Sequence, residues 1–204
     1  MPAVAMPDTH ADLLGATARS IGESGPSLTG RQRVAIAAAA RASMSGATPQ
    51  TLATKAMSEL VRRLSVEAHT IRHGWIAELA AEGGDAYTYV EVLGIVARLS
   101  AVDTFCFGLD TDLVDLPIGS DDPPTGRVAR EATIEGGWVP TVGRAFPPTA
   151  LTAVPSEHEA WEDVHSVLYL SMTEMRDLDV NKGLHRTQME LVAARTSLLN
   201  DCFF

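Results

Sequence analysis

Ala86-Tyr-Thr-Tyr-Val-Glu-Val-Leu-Gly-Ile-Val-Ala-Arg-Leu-Ser-Ala-Val-Asp-Thr-Phe-Cys-Phe107 decides the fold. Tyr89, Val90, Val92, Leu93, Ile95, Val96, Leu99, Val102 and Phe105 recur through it at helical spacing. They cover so much of the circumference that the segment reads as a central helix, buried on most sides. Gly83-Gly84 breaks the chain ahead of it, and Asp85 is placed to accept from the first free N–H groups.

Outward toward the N-terminus, Thr70 to Ala81 reads as an amphipathic helix with Ile71, Trp75, Ile76 and Leu79 on its buried edge. Thr48 followed by Pro49 reads as the N-cap and first residue of a helix bearing Leu52, Met57, Leu60, Val61 and Leu64. The alanine-rich run Arg31 to Ser43 favours helix strongly and starts near Thr29. Asp8 to Ile21 supplies another helix, ended by Gly22-Glu-Ser-Gly-Pro26.

Outward toward the C-terminus, residues 110–155 differ. They hold most of the chain's 11 prolines, including Pro123-Pro124 and Pro147-Pro148. They read as a long irregular excursion over the surface rather than a core element, of the kind that covers an active-site mouth or an oligomer neighbour. Ser156 is expected to cap a helix running to about Arg176, with Glu157 and Glu159 in its first turn. A last helix is expected over Leu184 to Leu199. The expectation is one all-α domain over residues 1–204, with some seven helices and no order in residues 1–7.

A chain of 204 residues has ample length for a buried core, and its 46% hydrophobic and 21% charged residues are ordinary for a globular protein. The net charge of −10 argues against a nucleic-acid or anionic-membrane surface. Cys106 and Cys202 are too few for a disulfide-stapled secreted fold. With neither a signal-like N-terminus nor an apolar run of spanning length, a cytoplasmic protein without a membrane segment is expected.

One segment carries chemistry. Gln188-Met-Glu-Leu-Val-Ala-Ala-Arg-Thr-Ser-Leu-Leu-Asn-Asp-Cys-Phe-Phe204 is a helix-length run with a carboxylate, Glu190, leading to a thiol, Cys202. A thiol becomes useful only where something nearby forms or stabilises its thiolate. The run resembles the redox motif of the alkylhydroperoxidase-like family, which includes the carboxymuconolactone decarboxylases. That motif reads Glu, eleven residues, Cys-x-x-Cys, three residues, His. Glu190 and Cys202 match its glutamate and first cysteine in type and spacing, while the second cysteine and the histidine fall at positions after Phe204. Tyr87 to Ser100 is similar to a helix that family members place beside the redox helix. Ala39-Ala-Arg-Ala-Ser43 recurs as Ala193-Ala-Arg-Thr-Ser197, 154 residues on, like the paired helical units of the family.

The resemblance implies an alkylhydroperoxidase-like helical fold and cofactor-free, thiol-dependent hydroperoxide reduction. Cys202 would be the resolving thiol and Glu190 the proton-relay carboxylate. The second cysteine would attack the peroxide, and a lipoamide- or thioredoxin-type dithiol adaptor would reduce the resulting disulfide. It also implies a homo-oligomer. With two motif residues lacking, the 204-residue polypeptide is expected to turn over little hydroperoxide by itself. Two alternatives stand beside this: a carboxymuconolactone decarboxylase-like enzyme using general acid/base groups, and a non-catalytic oligomerising remnant.

Other chemistry-bearing residues read more plainly. Cys106 is expected to be core packing, and Glu91 a solvated or paired residue on a helix edge. His69 and His73, four apart, could share a helix face as metal ligands do, but no third ligand lies near them in sequence. Glu162-Asp-Val-His165 matches one half of a di-iron motif whose other half is not found. The acidic run from Glu157 to Asp163 reads as a solvated face. Trp75, Trp138 and Trp161 are too scattered to mark a platform.

Overall fold

The computed structural model describes residues 6–199. It contains seven α-helices and, among the described residues, no β-strand beyond two isolated bridges. They are α1 (Asp8–Gly22), α2 (Gly30–Met44), α3 (Lys55–Val66), α4 (Gly74–Ala81), α5 (Ala86–Gly108), α6 (Pro155–Leu168) and α7 (Arg186–Leu199). No described helix is long and apolar enough to cross a membrane.

α5 is the axis. Asp85 accepts from the Thr88 N–H at 2.7 Å and starts it, and α1, α2, α3, α4 and α6 all pack against it. Val90, Val92, Ile95 and Leu99 of α5 meet Ile36 of α2 and Leu60 and Val61 of α3 in the main core, each 2% exposed or less. Toward its C-terminal end α5 enters a second cluster, where Val102 and Cys106 meet Leu13 and Leu14 of α1 and Val164 of α6. Met6 packs against that cluster, and Pro7 N-caps α1. α2 begins with a capping box between Thr29 and Gln32.

Three helices differ from the sequence expectation. α3 starts at Lys55, not at Pro49, because Thr54 accepts from the Met57 N–H at 3.1 Å and Glu82 from the Ala56 N–H at 2.8 Å. With two free donors satisfied there, residues 47–54 stay outside any helix, and Gln50 donates across to the Ala35 carbonyl. α4 starts at Gly74, not at Thr70, because Ile71 takes an extended conformation that buries its side chain. A separate 3-10 turn covers Ala68–Thr70. α6 begins on Pro155 with no side-chain cap, so Ser156 does not cap it, and it ends at Leu168, well short of Arg176.

The segment between α5 and α6 is irregular, with a single 3-10 turn at Pro147–Thr149, yet it is no loose excursion. Leu151 and Val154 belong to the main core, and Ala129 and Thr141 are buried. Backbone hydrogen bonds strap it to the α1–α2 turn: Ser120 N–H to Gly22 O (2.9 Å), Arg31 N–H to Ser120 O (2.9 Å) and Thr125 N–H to Gly25 O (2.8 Å). Gly30 and Gly119 meet backbone to backbone there, so a Cβ on either would collide with the other segment. The proline count signals irregularity correctly but says nothing about burial.

Candidate functional site

Glu190 lies on α7, one turn after Arg186. Its Oε1 is 2.6 Å from Arg186 Nε and accepts the Tyr169 hydroxyl proton at 2.8 Å. Arg186 is the buried residue of α7, and its Nη1 also donates to the Glu174 and Met175 carbonyls at 3.5 and 3.4 Å. Burial first, then the Glu190 carboxylate, push the Tyr169 phenol above its ordinary value, so it stays protonated and donates. Glu190 itself is about half exposed, with a side-chain exposure of 48%. It is therefore a surface carboxylate held in place from two sides. Cys202 lies outside the described residues.

Beyond Arg186, α7 packs against no other helix over any length. Leu191, Val192, Leu198 and Leu199 are each at least 59% exposed. The helix is fastened mainly at its N-terminal turn.

The end of α6 supplies the neighbouring groups. Trp161, His165 and Tyr169 follow one another at intervals of four, which stacks them along one helix face. The ring centroids are 5.9 Å apart for Trp161 and His165, and 5.3 Å for His165 and Tyr169, the latter edge-on. Tyr169 leaves the helical conformation, and His165 Nδ1 sits 2.5 Å from the carbonyl of Leu170, whose side chain is wholly buried. A carbonyl oxygen can only accept, so Nδ1 carries the proton. In the neutral ring Nε2 is then a free acceptor, and no hydrogen bond is made to it among the described residues.

The return from α6 to α7 is clasped by Glu174. Its carboxylate accepts from the Ser171 N–H at 2.7 Å and from Lys182 Nζ at 3.1 Å, while Lys182 also donates to the Ser166 carbonyl at 2.7 Å. The Ser171 backbone N–H, then the Ser171 hydroxyl and Lys182, hold the Glu174 carboxyl down at about 2.

Between α6, the Pro147–Thr149 turn and this return lies a cavity of 510 Å³. Pro147, Pro148, Trp161, Met172 and Met175 make its walls largely apolar, with His165 among them. The exposed carboxylates of Glu162 and Asp163 also border it. Sequence reasoning sets Trp161 aside as isolated. The four-residue spacing of Trp161 and His165 is the signal that could have located one cavity wall, whereas nothing local ties Pro147 or Met175 to it.

A second cluster of charges is sealed. Arg33, Glu91, Arg98 and Glu157 are each 3% exposed or less. Arg33 reaches Glu91 at 2.5 Å and Glu157 at 2.8 Å, and Arg98 reaches Glu157 at 3.0 Å. Ser27 N–H donates to Glu91, and Arg98 donates to the Ser20 hydroxyl. Burial pushes the Glu91 carboxyl up and the Arg98 guanidinium down, against the attraction of their partners. Glu157 thus departs from the solvated face expected of it, while Glu159, Glu162 and Asp163 are exposed. Glu91 is paired, not solvated. The cluster binds α2, α5 and α6 together.

The metal-like spacings do not converge. His69 sits in a 3-10 turn and His73 caps α4 across the extended Ile71, so they share no helix face, and His73 instead lies beside Trp138. Glu162 pairs with His158 at 3.5 Å, while His165 turns its Nδ1 to Leu170. Among the described residues no group of three His, Cys, Asp or Glu side chains is placed to hold a metal. Cys106 is core, 1% exposed. Compared with family models, with curated proteins and with solved structures, the chain finds no match in any of the three.

Proposed function

We propose that this chain carries a thiol-dependent, hydroperoxide-reducing unit, with Glu190 as proton-relay carboxylate and Cys202 as resolving thiol. The reading starts from the motif resemblance. The observation that carries it is the Arg186–Glu190–Tyr169 arrangement, in which a helix-borne carboxylate is fixed by a guanidinium and a phenol yet remains open to solvent. A relay carboxylate needs both properties: a defined position, and access for the group whose proton it handles. A structural ion pair would need only the first.

In this reading the substrate is a hydroperoxide and the reductant a dithiol adaptor of the lipoamide or thioredoxin kind. Self-association would cover the exposed leucines of α7. The test is loss of cumene hydroperoxide in the presence of a dithiol, measured on the chain extended past Phe204 by the motif's second cysteine and histidine, because Cys202 supplies only the resolving thiol. Dithiol-dependent turnover abolished in Cys202→Ser, and lowered about 10²-fold in Glu190→Gln, supports the reading. Turnover that survives Cys202→Ser refutes it.

A second reading is a decarboxylase-like enzyme using general acid/base groups. Its support is the Tyr169–His165 pair, a protonated phenol beside an imidazole with a free acceptor nitrogen. Lactone decarboxylation insensitive to thiol alkylation would favour it over the first.

A further inference from the structure

The cavity beside α6 has a ligand preference that stands apart from the chemistry on α7. Its volume of 510 Å³ falls in the range of small-molecule sites, about 300–1,000 Å³. Trp161 offers an aromatic wall, Met172 and Met175 offer polarisable thioethers that favour ring edges, and Pro147 and Pro148 add further apolar lining. His165 lines the cavity with Nδ1–H donating to Leu170 O, so in the uncharged ring Nε2 is the acceptor and matches a ligand that donates a hydrogen bond. Of the other polar side chains on the wall, His158 faces Glu162 through Nε2, and the Ser166 and Ser171 hydroxyls bond the backbone of Asp163 and Glu174. Glu162 and Asp163 place negative charge at the cavity border, on a protein of net charge −10, and so disfavour anions.

We propose that this cavity binds an uncharged aromatic ligand bearing one hydroxyl, a phenol- or naphthol-class molecule. Its ring lies against Trp161 and the two methionines, and its O–H donates to His165 Nε2. Apolar walls alone would accept any planar hydrocarbon. The fixed imidazole discriminates a phenol from its methyl ether, and the carboxylates at the border discriminate it from an aromatic acid.

The experiment is calorimetric titration of the full chain with 2-naphthol, 2-methoxynaphthalene and 2-naphthoate. The ether keeps the ring and loses the donor. The acid keeps the ring and adds charge. The expected order is 2-naphthol tightest, the ether about tenfold weaker, and the acid weakest. In His165→Phe the advantage of 2-naphthol over the ether disappears while the ether's affinity stays within about twofold. Because that variant also loses the bond to Leu170, Met172→Glu serves as a second test. Met172 is 46% exposed, so the fold tolerates the change, and the new carboxylate on the wall weakens both naphthol and ether about tenfold or more. Equal binding of naphthol and ether by the parent chain overturns the proposal. So does tightest binding of the acid, insensitivity of both ligands to Met172→Glu, or no detectable binding of any of the three.

Discussion

Glu157→Gln removes one charge from the sealed cluster and almost no volume. In the parent, two guanidiniums face two carboxylates within 3.0 Å, and every member is 3% exposed or less. After the change, Arg33 and Arg98 share the single carboxylate of Glu91, which lies beside Arg33. Arg98 keeps the Ser20 hydroxyl and a neutral amide oxygen, but no carboxylate, as partners. Stranding a charge in a buried pair costs about 3–5 kcal/mol. That is a large part of the roughly 5–15 kcal/mol by which a domain is stable. With a urea dependence of about 2–3 kcal/mol per M, the midpoint should fall by about 1–2.5 M in an unfolding titration followed by far-UV circular dichroism. The decisive arm is the double variant Arg98→Met with Glu157→Gln. It restores neutrality, leaving Arg33 opposite Glu91, so it should be more stable than Glu157→Gln alone by roughly 1–2 kcal/mol. If the second substitution lowers the midpoint further instead of raising it, charge balance is not what the cluster contributes, and the reasoning fails.

Three further outcomes follow from local geometry. Thr54→Ala should cost about 1 kcal/mol, read as a melting temperature lower by roughly 2–4 °C, whereas Thr48→Ala, at an exposed position outside any helix, should leave it unchanged. Glu174 and Glu59 titrate at about 2 when folded, against 4.5 otherwise, the first held by Ser171 and Lys182 and the second by Arg62 and Arg63. Their contribution is present above about pH 4.5 and lost as pH falls toward about 2, so protection of the Ser171 amide from hydrogen exchange should decline over that interval; a flat profile would contradict the clasp. Cys106, 1% exposed, should resist iodoacetamide in the native protein and react once urea unfolds it, as mapped by peptide mass spectrometry.

The elements legible in advance are those whose signal is local and repeated. α1, α2 and α5 lie within a residue or two of their expected limits, since the break after Ile21, the alanine-rich run after Thr29 and the Asp85 cap ahead of a periodic apolar stretch are all local signals. The missed starts of α3 and α4 turn on partners that sequence does not pair, Glu82 with Ala56 in one case and the buried Ile71 in the other. Glu157 misleads for the same reason. Its neighbours in sequence are exposed acids, and only the packing of α6 on α5 brings it against Arg33 and Arg98. Of the expected site, Glu190 is placed and Cys202 falls outside the described residues. Only the Trp161–His165 side of the cavity carries a local signal, because the other walls come from a turn near residue 147 and a return near 175.

The strap between α5 and α6 sets an order of assembly. Ser24 and Asp122, which hydrogen-bond across it, are 98 residues apart, and its backbone bonds to Gly22, Gly25 and Arg31 span similar distances along the chain. Contacts that close so long a loop form only after the shorter-range helices have collapsed, because the entropy of closure precedes any gain. The α1–α2 turn must already exist before residues 119–125 have anything to dock on. Refolding should therefore end in a distinct slow step that changes the environment of this strap while leaving helical content constant.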